Sequence, residues 1–378
     1  MSKHLINTLA PNEISKLNHI DLLRGLAVVM VIITHIAFTD INISEETRSI
    51  LTYGAHGVQL FFFLSAYTLC RSMDSRKEAG NLKHFYIRRF FRIAPLYYTG
   101  ILIYWIVSLI PEINLNGPLS HNENYTPLNV VSNVLFLNSF NINGYNNIVP
   151  GGWSIGTEMF FYLCFPFVYM IYERVKENYV YLILPLLTLL LANVYMILGY
   201  LVFKDVIYTS LFFYGFLPNQ MPVFLLGMSY YFLEKKNLLK ASALTSALLF
   251  MILFVSSFLI FRTLRHNINI YIFVAAISFA FLFQVFKKVN FEFYSLSRIG
   301  QLSFSIYLFH FLFAYPLSYK VSTLLAGHVG TLGVFLINVF LSLILSVLIS
   351  IFSERYIEKP GINLGRSLIK VMREKSEA

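Results

Sequence analysis

Runs of about twenty apolar residues recur along the whole chain, and nothing else in the sequence restricts the fold so strongly. A stretch of that length, as a helix, covers the ~30 Å of hydrocarbon in a bilayer. In lipid every backbone N–H and C=O has to be satisfied within the segment, so a spanning run has to be helical. Ten such runs can be drawn, at about 22–39, 52–71, 90–110, 153–172, 179–202, 207–233, 241–262, 268–286, 302–320 and 328–353. The expected class is an all-α, polytopic membrane helix bundle of about ten transmembrane helices. Charged residues make up 13% of the chain, against about 25% in ordinary soluble domains, which agrees with that class.

The net charge of +10 does not point to nucleic acid, because Lys and Arg fall in short clusters between the apolar runs. With the N-terminus in the cytoplasm, 24 of the 29 basic residues lie on the inner side. Only Arg48, Lys204, Arg262, Arg265 and Lys320 lie outside, as the positive-inside rule requires. Both termini are then cytoplasmic. The chain divides into a cytoplasmic N-terminal segment 1–19, a membrane domain 20–353 with an outer loop 111–152, and a basic tail 354–378. That loop has no Lys or Arg; its piece "LNVVSNVLFLNSF" is too short to cross and is expected on the surface or as a re-entrant segment. "GRSLIKVMREK" in the tail would lie along lipid headgroups as an interfacial helix. Pro218 and Pro222 of "FLPNQMP" are expected to break or kink the sixth run. Cys70 and Cys164 sit in apolar runs and read as packing residues, with no disulfide and no metal site. The first run lacks a small-residue cleavage site and is expected to remain as a helix. No internal repeat is visible.

Titratable groups inside apolar runs cost several kcal/mol unless they face a partner or a polar cavity. "IDLLRGLAVVMVIITHIAF" carries two, Arg24 and His35. Eleven residues apart, they differ by only ~20° around a helix and are separated by ~17 Å along it. "FYIRRFFRIAPLYY" places Arg89 and Arg92 on one face, level with Arg24 at the cytoplasmic mouth. They serve either as topology anchors or as forks for a phosphate-bearing ligand. "GGWSIGTEMFFYLCFP" puts Ser154 and Glu158 on one face below Trp153, and counting from the outer boundary sets Glu158 at the depth of His35. "QLSFSIYLFHFLFAYP" bears a polar stripe of Ser303, Tyr307 and His310. These groups suit either an enzyme with an inner cationic rim and a deeper histidine and carboxylate, or a transporter or flippase of a polysaccharide precursor.

Five stretches in order, "IDLLRGLAVVMVIITH", "GVQLFFFLSAYTLC", "FYIRRFFRIAPLYY", "WSIGTEMFFYLCFP" and "SFSIYLFHF", together with the closing "ERYIEKPGINLGR", resemble the acyltransferase family 3 membrane proteins over residues 18 to 366. That family O-acylates cell-surface carbohydrates and related acceptors. Its Arg-x10-His motif falls on Arg24 and His35, and its RxxR motif on Arg89 and Arg92. Its tryptophan–serine–glutamate motif falls on Trp153, Ser154 and Glu158, and its late histidine on His310. Ala66 follows Ser65 where the family usually has glycine, and Thr157 replaces an apolar residue. The chain ends soon after the last run; an acyl relay through the hydrolase-like domain that some members append would fall to a separate protein.

The resemblance implies an O-acetyltransferase of the bacterial inner membrane, with acetyl-CoA or another acyl-CoA as co-substrate and no permanently bound cofactor. The acceptor would be a carbohydrate such as O-antigen or capsule. Arg24, Arg89 and Arg92 would bind the donor's phosphates. His35 would act as general base or covalent carrier, with Glu158 beside it. Trp153, Ser154, Tyr98, Tyr307 and His310 are expected around the acceptor or thioester.

Overall fold

A computed structural model of the chain describes residues 11–40, 42–76, 82–110, 122–202, 212–263, 268–325 and 327–377. Among them there is no strand; the architecture is all-helical. The long helices are α1 (Pro11–Thr39), α3 (Gly57–Arg76), α4 (Leu82–Ser108), α6 (Gly152–Arg174), α7 (Val180–Val202), α8 (Leu217–Lys235), α9 (Ala243–Thr263), α10 (Ile268–Val289), α15 (Thr331–Ser353) and α16 (Lys359–Glu377). Short helices α2 (Glu45–Leu51), α5 (Pro127–Val134) and α11 (Tyr294–Gln301) connect them, and α12 (Ser303–Phe309), α13 (Phe311–Ala314) and α14 (Pro316–Leu325) follow one another as a broken rod.

Among the described residues seven helices are long and apolar enough to cross a membrane: α1 from Asn18, α4, α6, α7, α9, α10, and α15 with its continuation α16. The three further runs expected to cross are also helical in their described parts, as α3, α8 and the rod α12–α14. They fall short of the length and apolarity of those seven, and they carry polar side chains that the bundle buries. Gln59, Asn219, Gln220, Ser229, Ser305 and His310 are each at most 3% exposed. A helix surrounded by protein needs partners for such groups, not a lipid-compatible surface.

α1 sits within this interior and packs on α3, α10, α11, α12 and α15. Its crossing with α11 is backbone to backbone. A Cβ on Gly300 would lie 1.7 Å from the carbonyl oxygen of Asp21, and one on Gly25 would lie 2.3 Å from that of Leu296. α3 and α8 meet in a similar way: a Cβ on Gly227 would come within 2.4 Å of the Phe63 oxygen and 3.1 Å of the Ala66 Cβ. The close approach that the family's glycine would allow after Ser65 is made here from the α8 side. Stacked rings fill the space between α3, α6 and α8, with Phe224 against Phe161 at 3.9 Å and against Phe62 at 4.5 Å.

Several boundaries differ from expectation. α4 begins eight residues earlier than the drawn run, so Arg88, Arg89 and Arg92 lie two to three turns inside a helix and not at its entrance. The sixth run is broken at the expected place: Phe216 is extended and α8 starts afresh at Leu217, with Pro218 directly after it. Pro218 occupies the first turn of α8, where its missing N–H has no partner to lose, and Pro222 is carried within the helix. Residues 207–211 of that run, and 111–121 of the long loop, lie outside the described residues. In the rest of that loop α5 is a surface helix with an unusual orientation. Asn129 and Asn133 are buried, whereas Leu128 is 70% and Val131 52% exposed. Apolar side chains facing outward suit a helix lying against lipid rather than water. The basic tail is helical, and it packs on Phe91 and Pro95 of α4, directly behind the arginine helix. Thr157 is used as well, its hydroxyl donating to the Gly215 carbonyl.

Candidate functional site

The polar groups singled out in the sequence come together in two layers. The first is a cavity of about 90 Å³ between α1, α3, α4, α6 and α12, with Arg24, Arg89, Arg92, Ser65, Thr68, Glu158, Tyr162, Ser154 and Tyr307 in its wall. Arg24 is held by Asp21 at 3.6 Å and by the Thr68 hydroxyl at 3.5 Å. The Arg89 guanidinium lies over the rings of Phe85 and Tyr162, each 5.7 Å from the centroid. Planar guanidinium groups stack on aromatic faces in this way while their edge donors remain directed sideways.

Glu158 stands in the same wall. Its Oε1 accepts from Ser65 and from Tyr162, both at 2.5 Å. Two hydroxyl donors on one oxygen hold the carboxylate in place and leave its second oxygen available to the cavity. Sequence reasoning overlooked Ser65, Thr68 and Tyr162 as site residues. Tyr162 was findable, because it is the i+4 neighbour of Glu158 on the face that Ser154 begins. Thr68 carried no signal of its own, since only the packing of α3 on α1 brings it to Arg24.

The second layer lies beyond Tyr307. That residue joins the two layers: its hydroxyl bonds to Ser154 Oγ at 2.7 Å, and its backbone carbonyl lies 2.7 Å from His310 Nδ1. His310 is fully buried, and its Nε2 is 3.1 Å from His35 Nδ1. His35 Nδ1 is also 2.9 Å from the Val31 carbonyl, one helical turn back. Phe311 packs edge-on against the His35 ring at 4.5 Å.

This arrangement corrects the expected pairing of His35 with Glu158. No hydrogen bond or ion pair joins them among the described residues; the carboxylate belongs with the arginines and the histidine with a second histidine. The start of α6 at Gly152 is within one residue of the drawn run; what a depth count leaves out is helix rotation, and Glu158 faces Ser65 of α3 and Tyr162 rather than His35. Gly151 adopts the left-handed conformation (φ 75°) against Phe311 and the Tyr307 hydroxyl, which sets where that helix begins. Two other expectations are also corrected. Trp153 packs on Phe62 and Tyr214 and is not part of the cavity wall. Tyr98 is turned away as well, donating to the Val134 carbonyl and stacking on Phe136, so it fastens α5 to α4.

The comparisons with known proteins fit this assembly. A family model described as "Acyltransferase domain" matches residues 17–351, nearly the whole chain. The chain belongs to the acyltransferase 3 family. It is 32% identical over 168 residues to the peptidoglycan O-acetyltransferase OatA of Listeria monocytogenes, covering 42% of this chain and 25% of that protein. It is 28% identical over 170 residues to the acyltransferase MdmB of Streptomyces mycarofaciens, 44% of this chain and 42% of the relative. Nodulation protein 10 of Rhizobium leguminosarum is 24% identical over 173 residues, covering 42% of this chain and 46% of the relative. The matched part thus spans between a quarter and a half of the length of these curated relatives. No solved structure matches the chain.

Proposed function

We propose that the protein is an integral-membrane O-acyltransferase that moves an acetyl group from cytosolic acetyl-CoA to a hydroxyl of a cell-surface or lipid-linked carbohydrate. One observation supports this reading above the others: the arginine–glutamate cavity and the histidine pair are stacked along α1, with Arg24 and His35 ~17 Å apart on one helix. The pantetheine arm of CoA is about that long, ~15–20 Å when extended. Phosphates held by Arg24, Arg89 and Arg92 would therefore leave the thioester at the level of His35. In this reading ten helices cross the bacterial inner membrane, both termini are cytoplasmic, and the basic face of α16 rests on the inner leaflet's headgroups. The name of the Listeria relative, a peptidoglycan O-acetyltransferase, favours a glycan as acceptor.

The chemistry balances with the groups present. His35 takes the proton of the acceptor hydroxyl, the oxygen adds to the thioester carbonyl, the carbon–sulfur bond breaks, and the departing CoA thiolate recovers the proton. Glu158 is assigned to the donor side, because it shares the cavity wall with Arg24, Arg89 and Arg92 and its charge offsets theirs.

The test uses purified protein with labelled acetyl-CoA, and mass spectrometry of surface glycans from cells with and without the gene. The expected result is a glycan heavier by one acetyl group only when the protein is present. His35→Ala is expected to abolish transfer in a folded, inserted protein; near-normal turnover in that variant overturns the assignment of the base. Arg89→Ala is expected to raise the acetyl-CoA KM in a salt-sensitive manner, and an unchanged KM would reduce the cluster to a topology anchor.

A further inference from the structure

We infer that His310 is a positioning residue that makes Nε2 of His35 the reacting nitrogen. It does so by accepting the Nδ1 proton of His35 and by stabilising the imidazolium formed when His35 takes a proton. The inference rests on the acyl-transfer reading above and adds to it which ring atom reacts and what holds it ready.

The argument starts from two backbone carbonyls, which can only accept. The Val31 oxygen, 2.9 Å from His35 Nδ1, requires a proton on that nitrogen. The Tyr307 oxygen, 2.7 Å from His310 Nδ1, requires one there too. In a neutral imidazole the other nitrogen is then a bare acceptor, so both rings are Nδ1–H tautomers. The lone pair of His310 Nε2 therefore meets the Nδ1–H of His35 across 3.1 Å, and that proton is shared between His310 and Val31. The opposite tautomer of His35 would turn a lone pair toward two acceptors at once. What remains on His35 is Nε2, unprotonated and without a hydrogen bond among the described residues.

The arrangement does more than select a tautomer. When Nε2 takes the acceptor's proton, the positive charge is shared with Nδ1–H, which already points at two acceptors and needs no reorganisation. His310 is itself fixed, fully buried between Tyr307 and Phe311, whose ring lies 4.0 Å from its own. It sits at the break between α12 and α13, so its ring is held by a helix end and not by a continuous face. A carboxylate in this place, the partner seen in many hydrolases, would leave a net charge in a largely apolar layer; a neutral imidazole supplies the lone pair without one.

The experiment compares His310→Leu with His310→Gln in the full chain. The readout is release of CoA from acetyl-CoA, with water as the acceptor probe. Leucine fills the site without an acceptor, whereas the glutamine Oε1 can still receive the His35 proton. The Leu variant is expected to lose about 10- to 100-fold in kcat with the acetyl-CoA KM unchanged, a part of the roughly 10²- to 10⁴-fold that a positioned general base contributes. The Gln variant is expected to regain most of that loss. Equal loss in both variants, or full kcat in the Leu variant while His35→Ala is inactive, overturns the role of His310 and leaves the base assignment standing. A fully active His35→Ala overturns the underlying reading instead. Imidazole nitrogen resonances of the unaltered protein decide the matter even where a variant fails to fold: the proton of His35 is expected on Nδ1, and its observation on Nε2 overturns the inference.

Discussion

α9 and α3 are similar in length, 21 and 20 residues, yet they solve opposite problems. In its most apolar window α9 has a mean hydropathy of 2.4 and only 11% of its residues buried; α7 is much the same at 2.2 and 17%. α3 has thirteen buried residues, Gln59 and Ser65 among them, and is not among the seven helices apolar enough to qualify as a span. Hydropathy alone does not rank the helices by depth in the bundle, since α1 and α10, at 2.0 and 2.1, each have 56% of their most apolar window buried. The helices at the centre of the bundle can carry Ser, Gln, Asn, Glu and His because neighbouring helices supply the hydrogen bonds that hydrocarbon cannot.

Four substitutions would break or sharpen this contrast. The largest effect is expected for Gly300→Leu. Even the Cβ would overlap the Asp21 carbonyl, so α1 and α11 must part at a cost above ~3 kcal/mol, beyond ordinary overpacking. Loss of monodisperse protein in detergent is the expected readout, and a variant as stable as the parent would show that the central crossing is not so close. Next is Ile252→Asp, at a lipid-exposed position of α9. It is expected to impair insertion by ~2.5–3.5 kcal/mol in a glycosylation-reporter assay, whereas Ile252→Leu leaves transfer untouched. A tolerated Asp there would mean that α9 faces a cavity or a partner.

Tyr162→Phe tests the interior. It removes one of the two hydroxyls on Glu158 while keeping the ring under Arg89, and a hydrogen bond to a charged group contributes ~1.5–3 kcal/mol. An acetyl-CoA KM raised about tenfold with normal expression is expected; a drop in kcat alone would move Glu158 from the donor side to the acceptor side. Trp153→Phe should do least. Its ring packs on Phe62 and Tyr214 outside the cavity, and a swap between large aromatic groups costs at most ~1.5 kcal/mol. Turnover close to the parent's is expected, and a strong loss would place this residue back in the acceptor site.

Much of the site was legible because its chemistry conflicts with its setting. Arg24, His35, Arg89 and Glu158 are costly in apolar helices, so their presence alone marks them. Helical spacing then puts Arg24 and His35 on one face and Arg89 with Arg92 on another. Partner choice was less accessible. Glu158 was expected beside His35, and the packing of α6 on α3 turns it instead to Ser65 and into the cavity wall with the arginines. His310 was noticed as part of a stripe and as the family's late histidine, not as the partner of His35, and that contact joins residues 275 positions apart. Trp153 was assigned by the family motif and Tyr98 by residue type, and neither says which way a ring points.

Local pattern was enough for the helical class, the apolar belts, the arginine faces and most helix limits, because these follow from period and from the cost of polar groups in lipid. Partners were settled only by the packed bundle. Ser65 and Tyr162 meet Glu158, Thr68 meets Arg24, and His310 meets His35 because close crossings such as Gly25 with Leu296, Gly300 with Asp21 and Gly227 with Phe63 bring particular faces together. Contacts between distant segments depend on helix rotation and depth, and a one-dimensional pattern of polar and apolar residues specifies neither to within the few ångströms that a hydrogen bond demands.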